Sequence, residues 1–211
     1  MSTSTAGEPP QASRPLPEDV YPESGFRLPP PKREDLDDYG KSVYDRLGSP
    51  GRRKLAGLRG PSGIRMHSPK LAERANALSR YLRYESGLSG PVRELAILVT
   101  AREMDSQFEW TAHEPAALKE GIPQETIDIV KYRRDPSNLT EAEEVIIRLG
   151  RQMFGDKRVD SALFARALKT WGPKQLVELV ALMTNYCATA ALLCAFDMQL
   201  SPDKKPLLPI P

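Results

Sequence analysis

Glu94, Glu109 and His113 are the side chains whose types and spacing could do chemistry. They stand in one stretch, RELAILVTAREMDSQFEWTAH, which sets carboxylates and one of only two histidines against a largely apolar run from Leu95 to Ala101. On a helix Glu94 shares a face with Ile97, Leu98 and Ala101, at offsets of three, four and seven. A carboxylate on such a face either borders a cleft or is desolvated, and buried carboxylates are rare without a partner. Farther on, Ser106, Glu109 and His113 fall at i, i+3 and i+7, so hydroxyl, carboxylate and imidazole share a second face, with Trp110 beside them. The ordinary alternative is a solvated i,i+4 pair between Glu109 and His113. Acid/base proton transfer is the chemistry these residue types can do together.

The elements that would position them read as helices. Leu36, Tyr39, Val43 and Leu47 recur at helical spacing between Arg33 and Leu47, and Gly48, Pro50 and Gly51 end that helix. A Gly-, Arg- and Pro-rich loop runs to His67, which precedes a helix opened by Ser68-Pro69 and continued by Leu71, Ala75, Leu78 and Leu82. Ser89-Gly90-Pro91 opens the helix carrying Glu94. The next spans about 106–120, stopped by Gly121, and a short one follows Pro123. Thr140 with Glu143 forms a capping box ahead of another helix. Two more are expected, Ser161–Trp171 and a long one over about 174–199, separated by Gly172-Pro173. The fold class is therefore all-α, about eight helices with no convincing strand. Residues 1–32 read as a flexible or extended arm, since 1–31 hold eight of the twenty prolines, and 201–211 as a second proline-rich tail. The helical domain spans 33–200. Tyr21, Phe26 and Leu28 could anchor the arm to a neighbouring subunit.

Composition narrows the function. A net charge of +2 argues against a dedicated nucleic-acid binder; the one locally basic cluster, RRKLAGLR at 52–59, reads as a solvated loop. The two cysteines, Cys187 and Cys194, lie seven residues apart on one expected helix, too far for a bridge, so a reducing, cytoplasmic setting fits. The first residues have no charged and then apolar pattern of a secretory signal. Leu179 to Phe196 is apolar, but Thr184, Asn185, Tyr186 and Thr189 interrupt it, and a core helix is expected rather than a membrane span. No glycine-rich phosphate loop, GxSxG elbow or dinucleotide fingerprint occurs. Two histidines and no CxxC pair leave neither a metal ligand set nor a thiol redox cycle, so no metal is expected.

The run RELAILVTAREMDSQFEWTAHEPAALKEGIP resembles the carboxymuconolactone decarboxylase-like family, which includes the alkylhydroperoxidase D-like proteins. The likeness extends more loosely over roughly 60–200. In the peroxidase branch an upstream Glu precedes CxxCxxxH; Glu94 and His113 match that Glu and His, whereas Ser106 and Glu109 occupy the two cysteine positions. Neither can supply a thiolate, which argues against thiol-dependent peroxide reduction. The resemblance implies an alkylhydroperoxidase D-like helical bundle assembled as a homo-oligomer, a trimer or hexamer with a dimer as the other choice, acting on a small molecule without a cofactor.

These readings converge on a cofactor-independent decarboxylase, lyase or isomerase for a small carboxylated lactone or related carbonyl compound, with no nucleic-acid or membrane partner. Glu94, Glu109 and His113 are the expected catalytic residues. Desolvation should raise Glu94 toward neutrality and make it the proton shuttle, with His113 polarising or orienting and Glu109 setting its tautomer or serving as second acid/base. Arg93, Trp110, Ser106 and His67 are the expected substrate-binding residues, Arg93 for a substrate carboxylate. The rival reading is a non-catalytic oligomeric binding or scaffold protein of the same fold, in which Glu94 fastens helices together.

Overall fold

In the computed structural model, residues 15–48 and 58–210 are described. The first fourteen residues of the arm, the Gly48-Pro50-Gly51 helix stop beyond Gly48, and most of the basic cluster lie outside them.

Eight α-helices are present among the described residues: α1 Asp38–Gly48, α2 Pro61–Met66, α3 Pro69–Tyr84, α4 Gly90–Glu103, α5 Gln107–Lys119, α6 Gln124–Lys131, α7 Glu141–Arg151 and α8 Ser161–Ala195. The only extended pairing among these residues is an isolated bridge between Tyr21 and Phe26. The all-α expectation holds.

Local signals set the helix ends. Ser89 caps α4, its side chain accepting from the Val92 N–H, and Pro91 stands in the first turn, where its missing N–H costs nothing. Thr140 and Glu143 complete the capping box of α7. Asp160 caps α8 through the Leu163 N–H at 2.8 Å. Between α4 and α5, Asp105 takes φ 46°, a left-handed turn that Asp tolerates better than most residues and that folds α5 back on α4.

α4 is the hub. Every residue from Glu94 to Arg102 is buried, and α5, α7 and α8 pack around it. Leu95, Ile97, Leu98, Trp110, Ile127, Ile146, Ile147, Leu179 and Leu182 fill the space between them. Each large apolar side chain so buried contributes on the order of 2 kcal/mol. Gly150 of α7 lets the helices approach: a Cβ there would lie 2.3 Å from Val99 Cγ1 and 2.9 Å from Met183 Cε.

Two features depart from the sequence reading. The Gly- and Pro-rich stretch before His67 contains α2, a helix too short to show a periodic apolar pattern. The two helices expected at the end are found as two helical stretches of α8 meeting at a kink at Gly172, whose φ of 67° and ψ of 173° are non-helical. Glycine alone adopts that conformation without strain, so Gly172 turns the chain while the helices remain end to end. Phe26, a candidate anchor to a neighbouring subunit, is fully buried against Ile64 and Leu193 of its own chain. The backbone reinforces this seating, with Arg27 N–H donating to Phe196 O at 3.0 Å and Gln199 N–H to Gly25 O at 2.8 Å.

Near the other end of the chain, Leu208 is buried in the main core and Arg102 Nη1 donates to Pro209 O at 3.0 Å. The Gln107 amide, oriented to satisfy both its atoms, accepts from the Leu207 and Leu208 N–H groups and donates to Leu208 O. α8 is long and apolar enough to cross a membrane by length and composition; half of its most apolar window is buried inside the molecule.

Candidate active site

α4 and α5 bring Glu94 and His113 together across nineteen residues of sequence. His113 Nδ1 lies 2.7 Å from Glu94 Oε2, and both side chains are 2% exposed. An ionised carboxylate can only accept, so Nδ1 carries a proton, and in the neutral imidazole Nε2 then presents a lone pair. Nε2 faces Glu109 Oε2 at 3.6 Å, one turn back on α5. Tyr186 of α8 packs edge-on against the imidazole with ring centroids 5.1 Å apart, and burial raises its phenol well above the ordinary range.

The two carboxyls have opposite environments. Burial pushes Glu94 up, but the hydrogen bond and charge of His113, the Arg93 hydrogen bond and the Arg83 charge outweigh it and hold Glu94 below its ordinary value. Glu109 is raised, because its burial outweighs the attraction of His113, Arg65 and Arg83. The expected roles are thus exchanged. Glu94 is the ionised group that sets the His113 tautomer, and Glu109 is the carboxyl whose environment favours the protonated form. The Glu109 side chain is 6% exposed and makes no hydrogen bond among the described residues.

Arginines surround this core. All three Arg93 nitrogens are engaged: Nε with Glu94 Oε1 at 3.0 Å, Nη2 with Glu120 Oε1 at 2.9 Å and Nη1 with Arg83 O at 3.2 Å. Arg93 therefore braces Glu94. Arg83 Nη2 stands 3.9 Å from Glu94 Oε1. From α2, Arg65 Nη2 donates to Thr189 Oγ1 at 2.8 Å; burial lowers its pKa, with Glu109 and Tyr186 opposing. Sequence reasoning missed Arg65, Arg83, Tyr186 and Thr189. The signal for the last two was present, since they are polar interruptions of the apolar α8 run and sit three residues apart on one face.

Ser106 is buried at the N-terminus of α5, on the side of that helix that carries Glu109 and His113. Two other expected binding residues lie elsewhere. Trp110 is fully buried, its Nε1–H donating to Glu114 Oε2, while Lys131 Nζ bonds Glu114 Oε1 at 2.8 Å and lies 5.7 Å from the indole centroid. One residue beyond Glu109 means about 100° around the helix, which turns Trp110 toward α6 rather than the site. His67 is exposed, with Nε2 3.1 Å from Pro29 O and its ring edge-on to Phe26. It holds the Phe26 segment instead of facing His113.

A groove of about 520 Å³ lies between α1 and α3, lined by Val43, Leu47, Ala77 and the ion-paired Arg46, Glu73, Arg80 and Glu85, and contains none of the site residues. Cys187 Sγ sits 3.5 Å from Met104 Sδ and Cys194 is exposed; among the described residues no hydrogen bond joins either to Glu94, Glu109 or His113. Among the described residues no three His, Cys, Asp or Glu side chains converge as a metal cage.

What the arrangement can do is transfer protons. A carboxyl that burial raises, an imidazole with one nitrogen committed and a carboxylate held below its ordinary value form a line from Glu109 to Glu94 in a buried site. No curated protein and no solved structure matches the chain. The model of the carboxymuconolactone decarboxylase family matches residues 69–151, the segment that carries Arg83, Arg93, Glu94, Ser106, Glu109 and His113.

Proposed function

We propose that the protein is a cofactor-independent acid/base enzyme, a decarboxylase, lyase or isomerase acting on a small carboxylated lactone or related carbonyl compound. One observation carries this reading: Glu109 is buried, raised and without a side-chain hydrogen bond among the described residues, 3.6 Å from Nε2 of a histidine whose other nitrogen is fixed by Glu94. In a decarboxylation the C–C bond to the carboxylate breaks, carbon dioxide leaves, and the electron pair delocalises onto the adjacent carbonyl. Glu109 then gives its proton to the carbon, and His113 Nε2, once protonated from solvent, returns one to Glu109. Glu94 keeps the imidazole in the tautomer this requires and stabilises its transient cation.

The rival reading, a scaffold of the same fold, draws on the Glu94 network, because one carboxylate tying Arg93, Arg83 and His113 together also fastens α3, α4 and α5. The experiment is turnover of a carboxymuconolactone by the purified protein. Glu109→Gln and His113→Asn should each lower kcat by on the order of a hundredfold or more. No turnover of lactone substrates, or unchanged rates in both variants, favours the scaffold.

The functional unit we propose is a homo-oligomer. Leu71, Leu78 and Tyr81 on α3 and Val177 on α8 are exposed, and the Tyr81 hydroxyl donates to Glu178, next in sequence to Val177, at 2.6 Å. Light scattering of the full chain reads the subunit number.

A further inference from the structure

The proposed reaction leaves one developing charge without a donor. As carbon dioxide departs, negative charge gathers on the substrate's carbonyl oxygen, and in a buried site that is costly unless an N–H or O–H meets it. The nearby donors are largely committed. His113 Nδ1 is turned to Glu94 at 2.7 Å, and the Arg93 nitrogens are engaged with Glu94, Glu120 and Arg83 O. Thr189 accepts from Arg65 and donates its own proton to Asn185 O at 2.8 Å. Ser106 precedes His113 by seven residues, about 10 Å along α5.

Tyr186 is differently placed. It reaches the site from α8, 7% exposed, with its ring edge-on to the His113 imidazole and the centroids 5.1 Å apart. Its hydroxyl makes no hydrogen bond among the described residues. Nor is that oxygen sealed, since the fully buried side-chain polar atoms without a partner among these residues are Arg83 Nε, Arg102 Nε and Glu178 Oε2. The phenol therefore keeps a face open to a small molecule. Its surroundings locate that face: the charges of Arg83, Glu109 and Glu94 act on the phenol, and Arg65 feels both Glu109 and Tyr186. Hydroxyl and Glu109 carboxyl thus share one space beside the imidazole. Burial raises the phenol well above its ordinary range, so at neutral pH it keeps its proton and can donate. Tyr186 lies outside the residues matched by the family model.

We propose that Tyr186 is a further catalytic group of this site, its hydroxyl donating to the substrate's carbonyl oxygen and holding the oxyanion that forms there. The role rests on the reading of the protein as an acid/base enzyme for a carbonyl compound. The C–C bond to the carboxylate breaks, its electron pair becomes the C=C bond of an enolate, and the carbonyl pair moves onto oxygen. Tyr186 strengthens its hydrogen bond to that oxygen without giving up the proton. The pair then returns, the carbonyl re-forms, and Glu109 delivers its proton to carbon. Phenol and carboxyl serve opposite ends of the same enolate.

The test is Tyr186→Phe in the full-length protein, which removes one oxygen and keeps the ring. Thermal melts should show no loss of stability, because the hydroxyl has no partner to leave unpaired. With carboxymuconolactone, kcat should fall on the order of a hundredfold while KM moves less than about twofold, the mark of an interaction made in the transition state. A variant that melts lower or fails to fold makes the hydroxyl a structural group and overturns the role. A raised KM at unchanged kcat assigns it to ground-state binding and overturns the role too. Loss of turnover in Glu109→Gln with none in Tyr186→Phe sinks the role of Tyr186 alone and leaves the proposed reaction standing. A parent protein that turns over no lactone sinks the reaction, and the role with it.

Discussion

Glu94 Oε2 holds His113 Nδ1 at 2.7 Å, and that contact decides what the opposite ring nitrogen can do to Glu109. A lone pair at Nε2 can receive a proton from Glu109 or, once protonated, return one. The consequences of the Glu94–His113–Glu109 line differ for its two carboxyls, and stability separates them.

Glu109→Gln should stabilise the fold at neutral pH. The folded pKa of Glu109 is raised above the ordinary 4.5, so its contribution to stability is greatest below that value and falls as pH rises through the folded pKa. The groups facing it are Arg65 from α2, Arg83 from α3, His113 on its own helix and Tyr186 from α8. Thermal melts should give a higher Tm for the variant at pH 7 to 8, with the gain shrinking toward pH 4. A lower Tm at neutral pH would mean that Glu109 is an ionised, paired structural group. Stabilisation with loss of activity is the expected mark of a functional group.

Glu94→Gln should act in the opposite sense. The folded pKa of Glu94 is lowered, so its stabilisation is complete above about 4.5 and is lost as pH falls through the folded pKa. Removing the charge leaves Arg93, Arg83 and His113 without their shared partner, at a cost on the order of 3 kcal/mol. Chemical denaturation at pH 7 should show that loss, and the gap between parent and variant should close in acid.

Trp110→Phe tests the indole as a core strut rather than a substrate contact. Glu114 Oε2 loses the Nε1–H donor inside the core, which should lower stability by about 1–3 kcal/mol before any packing loss. KM should not move. A raised KM at unchanged stability would return Trp110 to the site.

Gly150→Ala should destabilise by about 1–3 kcal/mol through overpacking, since the added methyl meets Val99 and Met183 at the α4–α7–α8 junction. Denaturant midpoints measure this directly, and an unchanged midpoint would show that the junction can relax.

The sequence carried the partners of the site more clearly than their roles. The nineteen-residue offset between Glu94 and His113 and the Ser89 and Thr140 caps are local or motif-borne, and each is found where it was expected. Glu94 is lowered first by His113 and then by Arg93 and Arg83, and Arg83 arrives from α3 at no fixed spacing, while Glu109 is raised by a burial that only the assembled helices provide. Counting only the apolar neighbours of Glu94 gave desolvation without the compensating charges, hence the wrong sign. Trp110 was misplaced for a different reason: adjacency in sequence suggests proximity, yet neighbours on a helix face different ways. His67 showed no pattern that could distinguish a pocket from the Pro29 contact it makes.

The grip of Gln107 on Leu207 and Leu208 ties the order of synthesis to the order of folding. α5 emerges from the ribosome about ninety residues before the segment that closes over its Gln107 and Thr111 face. Until residue 208 is made, that wall of the core stays open to water, and the helix bearing Glu109 and His113 must wait for a distant stretch of chain to seal it.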